Sequence, residues 1–176
     1  PFISTLKLDK GLNFKSVITI FQLFLVSFLL KGGINYLVML FSPIDPTGVT
    51  NQVIDMAPNL IVLFIAVAVI PVFFEEILMR GVVLDHFRDT SILQASIVTG
   101  LLFGFMHIDL GQFGYSTVLG IIMSAIVLIT GSLWGSILFH FLNNGLTVLF
   151  VVLMRMTASL VPQGYSDYMI NSMEQE

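Results

Sequence analysis

Cysteine is absent from the 176 residues, which excludes disulfides, thiolate nucleophiles and cysteine-ligated zinc together. Charge is scarce as well: Asp, Glu, Lys and Arg make up 10% of the chain, against about 25% in soluble domains. The seven Lys and Arg form no basic stripe that could track a phosphate backbone, so no nucleic-acid partner is expected. No internal repeat, no low-complexity segment, no cleavable signal peptide and no His-Glu-x-x-His zinc helix can be read in the sequence. The chain begins at Pro1 rather than Met, from which we expect a preceding N-terminal piece, with further membrane spans. What is abundant is apolar: 56% hydrophobic residues, 16 of them Phe, and a mean hydropathy of +0.97. A chain of this composition cannot cover a water-facing surface, so membrane lipid is its expected solvent and partner.

A hydrocarbon core of ~30 Å requires about 20 consecutive apolar residues in a helix. Runs of that kind lie at residues 17–41, 59–84, 91–107, 115–130 and 133–156. The expected fold class is therefore all-α: a polytopic transmembrane helical bundle of about five spans, forming one integral membrane domain over 1–176. Lys31-Gly32-Gly33 interrupts the first run and marks a kink or the exit from the bilayer, and one long, imperfect helix is expected there. Residues 42–58, with three Pro and several turn formers, read as an exposed loop, and 159–176 as a polar, acidic tail. Pro71 removes a backbone donor within the second run and is expected to kink it. The positive-inside rule places Lys7, Lys10, Lys15 and Arg88 on the cytoplasmic side, with Arg155 dissenting. Trp134 and Tyr115 are expected in an interfacial aromatic belt, Asp85 and His86 at the interface, and Asp45, Asp55 and Asp109 in solvated loops.

Against this background Glu75 and Glu76 stand out, because ionisable residues within membrane spans are costly and are functional-site hypotheses by default. At 1.5 Å of rise per residue, Glu75 lies roughly 20 Å from the Arg88 end of its helix. By the same rise His107 lies roughly 24 Å from that side, and His140 and Asn144 roughly 14 and 20 Å. Three helices thus bring Glu, His, His and Asn to one slab of the membrane. Glu76 and Arg80 are i and i+4 with the acid N-terminal, the favourable orientation for an ion pair, so they read as structural support. Glu75 points about 100° away and is free for chemistry. Phe103 and His107, like His140 and Asn144, share a helix face at i and i+4, and Gly104 permits close helix approach. Asn143 falls on another face.

Glu-Glu-x-x-x-Arg at 75–80, Phe-x-x-x-His at 103–107 and His-x-x-x-Asn at 140–144 resemble, in order and without departure, the three motifs of the CAAX protease and bacteriocin-processing (CPBP, or Abi) intramembrane protease family. The resemblance covers residues 59–156, the expected catalytic core. It implies a membrane helical bundle that hydrolyses a peptide bond of a membrane-associated or prenylated substrate without a covalent intermediate. Glu75 and His107 would activate a water, and His140 and Asn144 would donate to the oxyanion, each such donor being worth ~3 kcal/mol in the transition state. Glu76, Arg80 and Phe103 would support the site.

Glu75, His107 and His140 also form a set able to hold zinc with an open fourth position. The prenyl endopeptidase branch of the family favours a metal-independent glutamate mechanism, so no cofactor is expected, with zinc as the alternative. Taken singly, a membrane His or Asn reads as an interhelical hydrogen-bond partner, and only their co-occurrence makes a site. Two other functions remain open: a noncatalytic scaffold or bacteriocin self-immunity protein of the same fold, and a small proton-coupled transporter relaying through Glu75 and His107. Relatives in bacteria mature peptide pheromones and bacteriocins, and the short loops and compact chain lean toward a bacterial plasma membrane.

Overall fold

The computed structural model describes residues 6–42, 44, 52, 56–87 and 89–160. Among these there is no strand, and they form an all-α bundle whose main helices are α1 (Phe14–Phe41), α2 (Leu60–Phe87), α3 (Ile92–Met106), α4 (Leu110–Thr130) and α5 (Leu133–Leu160). Most of the 42–58 loop, Arg88 of the expected topology, and the tail from residue 161 lie outside the described residues, as does the side chain of Arg155.

Helix starts follow the side chains that can serve free N–H groups. Asn13 accepts from the Ser16 amide at α1, Asn59 from Val62 at α2, and Asp109 from Gly111 at α4. Ser91 and Gln94 form a reciprocal capping box at α3. Asp109 is therefore a half-buried cap and not the solvated loop residue expected. Gly131, at φ 67°, ends α4 in the left-handed conformation and lets α5 turn back immediately.

Among the described residues four helices are long and apolar enough to cross a membrane; α3, at 15 residues, is shorter, or about 22 Å by helical rise. It is held by close packing against α4. A Cβ on Gly100 would come within 2.8 Å of the Ile121 amide nitrogen, and one on Gly120 within 2.8 Å of the Gly100 Cα. These glycines let the two backbones meet, and Thr99 adds a hydroxyl bond across the same seam to Ser124 at 2.8 Å. Lipid gives helices no hydrophobic drive to associate, so small residues and buried hydroxyls take over that work.

α1 runs through Lys31-Gly32-Gly33 as the one long helix expected there. Within it Lys31 turns inward and donates to Thr147 on α5. Outward-facing Leu29, Phe41, Ile61, Phe74 and Ile129 are exposed, as a lipid-facing surface requires. Phe24, Met79, Phe103, Tyr115, Met123 and Phe139 pack the interior. Tyr115 is therefore a core residue and not part of an aromatic belt: it is 8% exposed and its hydroxyl donates to Gln112.

Candidate active site

α2 carries the two glutamates in a segment that departs twice from α-helical winding. Ile65–Val69 and Ile77–Val83 are π-helical, with the Ile70 amide bonding the Ile65 carbonyl and the Leu84 amide the Met79 carbonyl. Such widened turns recur at functional sites. The first coincides with Pro71, which has no N–H for the α-helical bond to the Val67 carbonyl. That carbonyl instead accepts from Asn144 Nδ2 at 2.9 Å. Pro71 thus widens the helix and hands a backbone acceptor to α5.

The α-helical stretch between, Ile70–Glu76, presents the carboxylates. Glu76 is fully buried, and its Oε1 accepts from both Arg80 Nη1 at 3.0 Å and His140 Nδ1 at 2.8 Å. Arg80 also donates from Nη2 to the Gly120 carbonyl at 3.1 Å and lies 4.3 Å from the Phe103 ring centre. One buried ion pair therefore joins α2 to α3, α4 and α5. The i, i+4 spacing identified the Glu76–Arg80 pair, but the bond from Glu76 to His140 spans 64 residues and left no local signal.

His140 stands between the two carboxylates. With Nδ1 on Glu76, its Nε2 faces Glu75 Oε2 at 3.9 Å, a gap that one water can bridge on hydrogen-bonding terms. Glu75 is the more accessible acid, its side chain 25% exposed against 0% for Glu76. An ionised carboxylate only accepts, so the proton of the Glu76–His140 bond sits on Nδ1, and Nε2 can donate only from the imidazolium.

Phe103 links the second histidine to this group, its ring edge-on to His140 at 5.6 Å and to His107 at 4.9 Å between centres. His107 closes α3, and its Nδ1 donates to the Phe103 carbonyl at 2.8 Å. A carbonyl cannot donate, so neutral His107 carries its proton on Nδ1 and leaves Nε2 as an acceptor. The next residue, Ile108, holds φ at 51°, a conformation unfavourable for a β-branched residue, and it stops α3 directly after the histidine.

Glu75, Glu76, Arg80, Phe103, His107 and His140 are thus linked in one chain of contacts. Asn144 sits one turn along α5 from His140, with one amide proton on Val67 and a second left for a ligand. Asn143, on another face of α5, is buried and bonded to the Phe139 carbonyl and the Ser27 hydroxyl. Among the described residues no three His, Asp or Glu are gathered closely enough to hold a metal ion. In particular, His140 spends Nδ1 on Glu76, and no contact joins His107 to either carboxylate.

No curated protein and no solved structure matches the chain. The family described as type II CAAX prenyl endopeptidase Rce1-like matches residues 57–146, just over half of the chain and all three polar motifs. With its membrane-crossing helices and this site, the chain belongs to the Rce1-like family of type II CAAX prenyl endopeptidases, the CAAX-type intramembrane proteases.

Proposed function

We propose that this integral membrane protein is an endopeptidase that hydrolyses a membrane-associated or lipidated peptide by a glutamate-activated water. Glu75 takes a proton from a water held between its carboxylate and the His107 Nε2 acceptor. The resulting hydroxide adds to the peptide carbonyl carbon. The oxyanion so formed accepts from His140 Nε2 and from the second amide proton of Asn144. Glu75 then returns its proton to the leaving nitrogen as the C–N bond breaks, which balances the hydrolysis without a covalent enzyme intermediate. Glu76 holds the His140 ring so that Nε2 points at the reacting atoms, and Arg80 holds Glu76.

The observation that carries this reading is the seat of His140 between two carboxylates, one buried and bonded, the other more accessible and 3.9 Å away. The surroundings support an apolar substrate. A groove of about 520 Å³ runs between α1, α2 and α5 past Phe24, Phe64, Phe141, Gly145 and Leu146. Phe141 and Gly145 directly follow His140 and Asn144 in sequence.

The test is cleavage of quenched fluorescent peptides by detergent-purified protein, comparing wild type with His107→Ala and His140→Ala. Each variant should lose activity by about 100-fold or more, the range for removing a general acid-base or oxyanion group. Undiminished cleavage by both variants would overturn the assignment.

A further inference from the structure

The stretch ahead of α1 belongs to no helix, yet it is closely tied down. Residues 6–12 run as a strap across the end of the bundle where α4 turns into α5. Three of its backbone carbonyls accept from that turn: Lys7 from the Leu133 amide at 3.2 Å, Leu8 from Trp134 Nε1 at 3.0 Å, and Lys10 from the Ser132 hydroxyl. All three donors stand at the start of α5. Lys7 holds φ at 58°, a left-handed conformation that is costly for a residue with a Cβ and persists only where its surroundings fix it.

The leucines on either side of Lys7 carry the strap across to α2. Leu8 packs against the buried cluster that includes Val72 and Leu84 of α2 and Leu133 and Ile137 of α5. Leu6 is buried, and its Cδ2 lies 2.8 Å from the place a Cβ on Gly81 would take. Glycine is unfavourable inside a helix, and at 81, within the second π-helical turn of α2, its bare backbone is what admits Leu6. Gly81 directly follows Arg80. The strap therefore joins the turn that carries Arg80 to the first turn of α5, and these are the two helices that the Glu76–His140 bond must hold in register. His140 lies seven residues beyond Leu133, about 10 Å along α5 by helical rise, so a shift at the strap reaches its ring through two turns of one helix.

We propose that Leu6 is a positioning residue for the site: seated on Gly81, it sets the spacing of α2 and α5 at which Arg80 holds Glu76 and Glu76 aims His140. This rests on the peptidase reading above and adds the residue, outside every helix, that keeps the His140 ring aligned.

The experiment uses the full chain in detergent, with isotope-labelled histidine for magnetic resonance and a cleavable peptide for kinetics. The three histidines give separate ring signals, assigned with His86→Gln, His107→Gln and His140→Gln. In Leu6→Ala the His140 Nδ1–H signal, held against exchange by Glu76 in wild type, should broaden or vanish, while the His107 signal stays in place. A misplacement of about 1 Å can cost about 100-fold in rate, so kcat should fall about tenfold or more with KM within about twofold. Adding Gly81→Ala puts a methyl group into the space that Leu6 leaves, and the double variant should regain the His140 signal and most of the kcat. Leu6→Met, which keeps the bulk, should behave as wild type.

A folded Leu6→Ala protein with either the His140 signal or the kcat of wild type overturns the proposal. So does a His107 signal that moves as much as that of His140, which would make Leu6 an ordinary core residue, or a double variant no better than the single one. Where Leu6→Ala does not fold, Leu6→Val leaves a smaller gap and must show the same change at His140 in lesser degree; an unchanged signal there refutes the role. Absence of any cleavage by wild type would instead sink the peptidase reading, and the His140 signal then decides Leu6 by itself.

Discussion

Glu76→Gln is the most demanding perturbation of the site, because it alters charge at nearly constant shape. Glu76 is fully buried and its Oε1 serves two donors, Arg80 at 3.0 Å and His140 at 2.8 Å. Glutamine still offers an oxygen to one of them. It leaves Arg80, itself 1% exposed, as a buried cation without its bonded counter-charge. Breaking a buried pair from one side costs about 3–5 kcal/mol, roughly the sum of two charge-assisted bonds at about 1.5–3 kcal/mol each. Arg80→Met strands the carboxylate instead and should cost a similar amount.

The double variant strands neither charge, so its cost should fall well below the sum of the two single costs, with a coupling of about 1–3 kcal/mol. Trp134, the sole tryptophan, at the start of α5, reports unfolding by fluorescence in denaturing detergent titrations. A Glu76→Gln cost under about 1 kcal/mol, or strict additivity in the double variant, would refute the claim that this pair anchors the bundle and aims His140.

Other variants separate support from chemistry. Asn144→Ala should lose about 1–3 kcal/mol by leaving the Val67 carbonyl without its side-chain donor. Adding Pro71→Ala restores a backbone N–H and should recover stability in the same unfolding titration while cleavage stays low. Gly100→Ala should be destabilised by about 1–3 kcal/mol through the clash with α4. Gly32→Ala, where an added Cβ meets nothing within 4 Å, should be neutral or gain up to about 1 kcal/mol of helix propensity; thermal unfolding of the two compares them. Metal analysis of purified protein should find substoichiometric zinc, with cleavage resistant to chelators. Stoichiometric zinc whose removal abolishes cleavage would replace the glutamate mechanism.

The apolar runs located the helices well, since length and hydropathy decide insertion, but α3 fell short of a full span because its close packing on α4 is written in Gly100, Thr99 and Gly120 and not in hydropathy. Local spacing gave the Glu76–Arg80 pair. Common depth led to the right neighbourhood for Glu75 and His140, and for His107 through Phe103. Bonds between distant helices were hidden. Glu76 to His140, Asn144 to Val67 and Lys31 to Thr147 each depend on which faces meet, and α1 and α3 show almost no apolar-polar periodicity to reveal their faces. In lipid both sides of a helix are apolar, so the signal that orients helices in water is lost. Pro71 shows the same limit: its missing N–H was legible, but the asparagine that answers it lies 73 residues away by sequence number and could be placed only in three dimensions.

The central claim is that Glu75 activates the water that cleaves the peptide. It is tested most directly by comparing kcat/KM of wild type and Glu75→Gln on one peptide, with Trp134 fluorescence establishing that both are folded. The account predicts a loss of about 100- to 10,000-fold, the contribution of a positioned general base, at essentially unchanged stability, since Glu75 is partly exposed and holds no bond closer than 3.9 Å to His140. A folded Glu75→Gln protein that cleaves within tenfold of wild type would contradict it.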